Sequence, residues 1–184
     1  QVAARRPHGV ILVLSGLDES GRALLTSRSI PFVVLDPAGD PGTDVAEVVG
    51  RGTGVDDAGW MRKCAAVRDA ARRGRPHVDD PIGLLATVGG ADLAAVCGFL
   101  LQAAVRRTPV VLDGLVTGAC ALLVHRVSGR ARHWWVAGHR STEPAHRVAL
   151  ERLELDPVLD LGLHLGEGTG AVLALPVLAA AGAT

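Results

Sequence analysis

Short apolar runs and amphipathic stretches alternate along most of the chain, and their periods predict its elements. Residues 9–14 read GVILVL and residues 30–35 read IPFVVL, continuous runs of the kind buried on both faces of a parallel sheet. Between them Asp18 can cap a helix over 19–28, giving a βαβ unit whose crossover should be right-handed. Asp56 or Asp57 starts a second helix running to about Arg73, with Trp60, Cys64, Val67 and Ala71 at helical spacing as its core face. Asp80 ahead of Pro81 starts a third, and the glycine pair Gly89 and Gly90 separates it from a helix over 91–105. That helix is apolar nearly all round and is expected to be buried.

The later part repeats a strand-helix rhythm. Strands are predicted at 109–112, 133–137 and 158–161, with helices over 115–127, 145–153 and from about Gly168 onward. With the two early strands near 10–14 and 31–35, this implies one α/β domain over 1–184. Its expected architecture is a three-layer, doubly wound, five-stranded parallel sheet, Rossmann-like or flavodoxin-like, in strand order 2-1-3-4-5. A helical excursion separates strands two and three.

Composition narrows the classes. Nineteen basic residues balance nineteen acidic ones, so the broad positive field that nucleic-acid binding needs is missing. Hydrophobic residues make up 48% of the chain but aromatics only 3%, so the core must be packed from Ala, Val and Leu. Cys64, Cys97 and Cys120 are odd in number and set in apolar segments, which points to small core residues in a reducing compartment rather than to disulfides or zinc. No charged leader with an apolar stretch opens the chain, and the tail after Glu167 is interrupted by Gly and Pro. The expectation is a cytoplasmic protein with no membrane partner, its state as monomer or homodimer left open.

Candidate chemistry lies on the strand-to-helix turns, because ligands of open α/β sheets bind outside the carboxyl ends of the strands. Glu167, between Gly166 and Gly168 after the last strand, is where a general base would sit. Taken alone, the glycines can equally serve a tight turn and the acid the positive end of a helix. Asp113 follows the strand at 109–112 and is a site candidate by position. In 138–147, GHRSTEPAHR, a helix N-terminus at Ser141 or Thr142 could attract a phosphate and Arg140 could fork onto it. His139, Glu143 and His146 lack the i, i+4 histidine pair of zinc sites, so no metal is expected. Gly50, Gly52 and Gly54 are not followed by the Lys-Ser or Lys-Thr pair of a P-loop. Gly166, Gly168 and Ala171 fit a dinucleotide fingerprint without its later acid, so NAD is rejected and no cofactor is expected.

Three stretches carry a family resemblance: AEVVGRGTGVDDAGWMRKCAAVRDA from Ala46, GHRSTEPAHR, and LDLGLHLGEGTGAVLALP over 159–176. Over residues 46–181 the chain resembles the nicotinate-nucleotide:dimethylbenzimidazole phosphoribosyltransferases of cobalamin synthesis. The resemblance implies that Glu167 is the general base and that nicotinate mononucleotide, dimethylbenzimidazole or phosphate are the partners. It implies that Gly89, Gly90 and Asp92 face the substrate cleft and that the loop at Arg140 and Ser141 lines the nucleotide pocket, beside Gly166 and Gly168. In that loop Gly138 and Ala145 stand where the family has serine and glycine, which puts a hydrogen bond from position 138 in doubt. The family's Gly-Asn-Thr-Thr phosphate loop does not occur in these 184 residues.

Residues 1–44 carry a second resemblance. ARRPHGVILVLSGLDESGRALLTSRSIPFVVLDPAGDPG is similar to a βαβ segment of the effector domain of lac-repressor-type regulators, without any DNA-reading helix. The two resemblances together imply a chimera, designed or recombined, of a 1–44 segment and a 45–184 segment, with turnover undetectable or very slow. The alternative is an active phosphoribosyltransferase that makes α-ribazole phosphate.

Overall fold

The structure, a computed structural model, describes residues 48–51 and 55–183. Predicted strands 10–14 and 31–35, and with them the strand order 2-1-3-4-5, lie outside the described residues. Within them the sheet has three parallel strands rather than five, β1 (Val110–Leu112), β2 (Trp135–Ser141) and β3 (Pro157–Leu163), in the order β1-β2-β3. Among the described residues it is accompanied by the helices α1 (Asp57–Gly74), α2 (Pro81–Val88), α3 (Ala91–Val105), α4 (Leu115–Val127), α5 (Pro144–Leu153) and α6 (Thr169–Gly182).

The local signals act as expected at most boundaries. Asp56 caps α1, its side chain accepting from Gly59 N–H at 2.7 Å, and Asp80 caps α2 by accepting from Ile82 and Gly83 N–H at 3.1 and 2.9 Å. Pro81 and Pro144 occupy the first positions of α2 and α5, where no N–H is missed. The β2 strand starts two residues later than expected. Residues Gly129–Trp134 form a 3-10 helix that carries the chain past His133, so only Trp135 onward can join the ladder. Along β3 the register slips: His139 pairs with Leu159 but Ser141 with Leu163, leaving extra residues of β3 unmatched. Gly162, at φ 63°, supplies the left-handed residue in that bulge.

The core sits between the helices and β1–β2. It is built from small and branched residues, among them Leu84, Leu93, Leu100, Leu112, Cys120 and Leu153, each no more than 2% exposed. Cys97 and Cys120 are buried free thiols, as read from their apolar surroundings, whereas Cys64 is a free thiol that is only partly buried. Two expectations of burial fail. The buried stripe of α1 is Val67, Ala70 and Gly74 rather than one through Ala71, which is exposed. Helix α3 buries only Leu93, Cys97, Leu100 and Ala103, a single face, while Phe99 is 61% exposed. An apolar period shows that a helix can be covered; it does not show which neighbours reach each side. No described helix is long and apolar enough to cross a membrane.

Leu153 is 0% exposed at the end of α5, whereas Leu161 on β3 is 63% exposed. Truncating the first leaves a cavity and truncating the second does not. Leu153→Ala should cost about 2–5 kcal/mol in urea unfolding and Leu161→Ala under about 1 kcal/mol. Equal losses at the two sites would contradict the placement of the core.

Candidate functional site

The carboxyl ends of the three strands bring the ends of β1 and β2 against the start of α6. Asp113, directly after β1, turns its carboxylate to the loop that follows β3. Its two oxygens accept from Gly168 N–H at 3.2 Å and from Ala171 N–H at 3.0 Å. Two of the otherwise unpaired amides that open α6 are thereby satisfied from a residue more than fifty positions earlier. Thr169 closes the same turn, its hydroxyl donating to Gly166 O at 2.7 Å. Glu167 stands in this turn with φ 60°, in the left-handed region, followed by Gly168 at φ 83°. A non-glycine residue held there is strained, and its side chain is exposed at the mouth of the sheet.

Beneath the turn lie two histidines with no exposed surface, His139 on β2 and His146 on α5. His139 Nε2 is 3.6 Å from Asp113 Oδ1, and the two imidazole rings are 5.8 Å apart between centroids. Neither ring nitrogen of His139 has a hydrogen-bond partner among the described residues. Helix α6 approaches His139 so closely that any Cβ at Gly170 would run into the imidazole ring. Gly138 is under the same helix. A Cβ there would meet Ala171 Cα at 2.9 Å and Leu112 O at 3.0 Å, so the serine that the family resemblance puts at this position has no room unless α6 moves.

His146 Nδ1 faces Ser141, 2.9 Å from its hydroxyl oxygen and 3.2 Å from its backbone nitrogen. Burial, and then the neighbouring His139, lower the pKa of His146 from its ordinary 6.5 to about 4, against a smaller opposite pull from Asp113. His146 is therefore neutral at pH 7.

The sequence-derived candidates fall into separate places. Gly166, Glu167 and Gly168 share one turn, which Asp113 holds from the end of β1. The Gly168 amide donates to Asp113. Ser141 and Arg140 end β2 rather than opening a helix, since the next helix starts at Pro144 with Glu143 as its N-cap, and the Arg140 guanidinium pairs with Asp160 of β3. Gly89 and Gly90 form the corner between α2 and α3, a Cβ at Gly89 being blocked by Leu85 O at 2.5 Å, and Asp92 is exposed on the first turn of α3. Among the described residues no three His, Cys, Asp or Glu side chains are grouped so as to hold a metal ion. Sequence reasoning overlooked what His139 and His146 do, because it tested them only as metal ligands. The usable signal was Gly170 three residues beyond Glu167, a helix position where alanine would otherwise be preferred.

A parallel α/β sheet with an acid on a glycine turn at its carboxyl edge defines an open-sheet α/β protein, and comparison narrows the class. The model of a phosphoribosyltransferase family matches residues 40–184. The chain belongs to that family. The nicotinate-nucleotide–dimethylbenzimidazole phosphoribosyltransferase of Mycobacterium tuberculosis is 62% identical over 173 residues, covering 94% of this chain and 46% of the relative. That of Streptomyces avermitilis is 59% identical over 143 residues, covering 77% and 38%. The crystal structure of CobT from Thermus thermophilus superimposes with a TM-score of 0.70 at 48% identity, over 76% of this chain and 42% of that one. The chain thus spans about half the length of the curated relatives it matches. Residues 45–184 make up 76% of the chain (140 of 184), so a 94% match extends into the first 44 residues. Nothing in the comparisons supports a splice with a lac-repressor-type segment or a designed origin.

The burial of His146 gives a pH prediction. Its folded pKa, about 4, lies below the ordinary 6.5, so between these values the unfolded chain binds a proton that the folded chain does not. Stability is full above about pH 6.5 and falls as the pH drops toward 4. The contribution of this residue over that window is about 3 kcal/mol. Urea unfolding at pH 7 and pH 4.5 should show the loss, and His146→Asn should show a correspondingly shallower one. An identical pH slope in the variant would refute the placement.

Proposed function

We propose that the chain carries the catalytic base of a phosphoribosyl transfer from nicotinate mononucleotide to dimethylbenzimidazole, and that Glu167 is that base. One observation carries the reading: an exposed carboxylate is held in a left-handed turn, tied to Asp113, at the carboxyl edge of a parallel sheet. A strained acid anchored from another strand is what a positioned base needs, since misplacement of the group forfeits its advantage. The names of the relatives supply the substrates, and the family match to residues 40–184 favours an enzyme over an inert scaffold.

In this mechanism one ring nitrogen of the benzimidazole attacks the anomeric carbon of the ribose. The bond from that carbon to the nicotinate nitrogen breaks, its electron pair leaving with nicotinate and cancelling the pyridinium charge. Glu167 takes the proton from the other ring nitrogen, so the product leaves uncharged at the imidazole. On this reading Gly166 and Gly168 shape the turn. Arg140 and Ser141 border the nucleotide at the end of β2, and Gly89, Gly90 and Asp92 lie on a second corner of the cleft. Asp113 serves the base through the loop.

Chromatography of the 184-residue protein incubated with both substrates should show α-ribazole phosphate. A positioned base contributes about 100- to 10,000-fold, so Glu167→Gln should lower the rate by that factor. Equal product from the variant, or none from the parent protein, would sink the proposal.

A further inference from the structure

We infer that Ser141 acts toward a ligand only as a hydrogen-bond acceptor, so that this corner of the site selects a ribosyl hydroxyl over a phosphate. The inference rests on the ribosyl-transfer reading above and deepens it. Its starting point is an obligate donor. A backbone N–H can only donate, and that of Ser141 points at His146 Nδ1 across 3.2 Å. Nδ1 therefore carries its lone pair, and the ring proton is on Nε2, a buried atom with no hydrogen-bond partner among the described residues, so the Ser141 N–H alone sets the tautomer. The same nitrogen is 2.9 Å from Ser141 Oγ. Two lone pairs facing each other at that distance would repel, so the hydroxyl proton is turned inward onto Nδ1.

What Oγ keeps for the outside is lone pairs alone. An unprotonated phosphate oxygen, itself an acceptor, finds no proton there, whereas a sugar hydroxyl can donate. The orientation is fixed by packing. His146 has no exposed surface, and its ring lies against Gly118, where a Cβ would come within 3.2 Å of Cδ2. Turning the ring over would put a carbon where Nδ1 now accepts from both Ser141 groups. Burial holds the ring neutral at pH 7, so the acceptor persists there. The adjacent cation does not restore an anion site, because the Arg140 guanidinium is already paired with Asp160. Ser141 is half-buried at the end of the central strand, at the edge where ligands of such sheets dock.

Two measurements test this, one without any ligand. Side-chain 15N NMR at pH 7 should show His146 unprotonated at Nδ1 and protonated at Nε2. The opposite tautomer overturns the inference outright. Titrations with nicotinate riboside and, separately, with inorganic phosphate are then followed in the amide spectrum. Ser141→Ala should weaken the riboside about three- to tenfold, the span of one net hydrogen bond, and leave phosphate unchanged. Weaker phosphate with unchanged riboside overturns the inference. His146→Asn, whose amide oxygen replaces Nδ1 as acceptor, should keep the preference. His146→Leu, which frees the hydroxyl proton, should shift it toward phosphate, with melting curves establishing that each variant is folded. Failure of the riboside to bind the parent protein removes the ligand from Ser141 and overturns the inference as well. The role of Glu167 is judged separately, by product formation.

Discussion

The two hydrogen bonds from the start of α6 to Asp113 are the constraint on which the site depends. They join the first described strand to the last helix, and they fix where the turn between β3 and α6 can lie. Without them the opening amides of α6 would have to find water or another acceptor. Glu167 would then lose the framework that holds its backbone in a sparsely populated conformation. The carboxylate also brings negative charge to the positive end of the helix, a favourable placement that needs no cation.

The fully buried polar side chains His139 and His146 differ in how they are satisfied: neither ring nitrogen of His139 has a hydrogen-bond partner among the described residues, whereas one of His146 has. A buried histidine is tolerable when neutral, and burial itself keeps His146 so. Its acceptor nitrogen is satisfied by Ser141 on the neighbouring strand, which ties α5 to the end of β2. The same contact sets the direction of a hydroxyl at the surface, so an interior proton position has an exterior effect.

Much of the fold was legible in the sequence, and the reasons differ by element. Helix starts at Asp56 and Asp80 were readable because a cap is a local event, settled by three or four consecutive residues, whereas the start expected at Ser141 or Thr142 falls at Pro144, behind an N-cap Glu143 that makes no side-chain cap bond. Strands at 110–112 and 157–163 were readable from apolar runs, while the start of β2 was not, since HWWVA carries no mark of the 3-10 turn that takes up its first two residues. The exposed side of α3 was misread for a related reason: coverage depends on which elements pack there. Of the site, the position of Glu167 on its glycine turn and of Asp113 at a strand end could be read. That the two are tied together could not, because no local pattern records a bond between residue 113 and residue 168. The reading of a spliced chain finds no support in relatives that match 94% of the chain. It trusted a short βαβ likeness that many doubly wound proteins share.

The contact between Gly170 and His139 has a consequence for how such a chain can change. The helix rests on the imidazole with no space for even a methyl group, so the two positions behave as a matched pair. A side chain can appear at 170 only if the ring at 139 first gives way to something smaller. A smaller residue at 139 alone would open a void directly under the turn that carries Glu167. Single substitutions are thus blocked in both directions, and variation at either position should arrive in relatives as a correlated exchange.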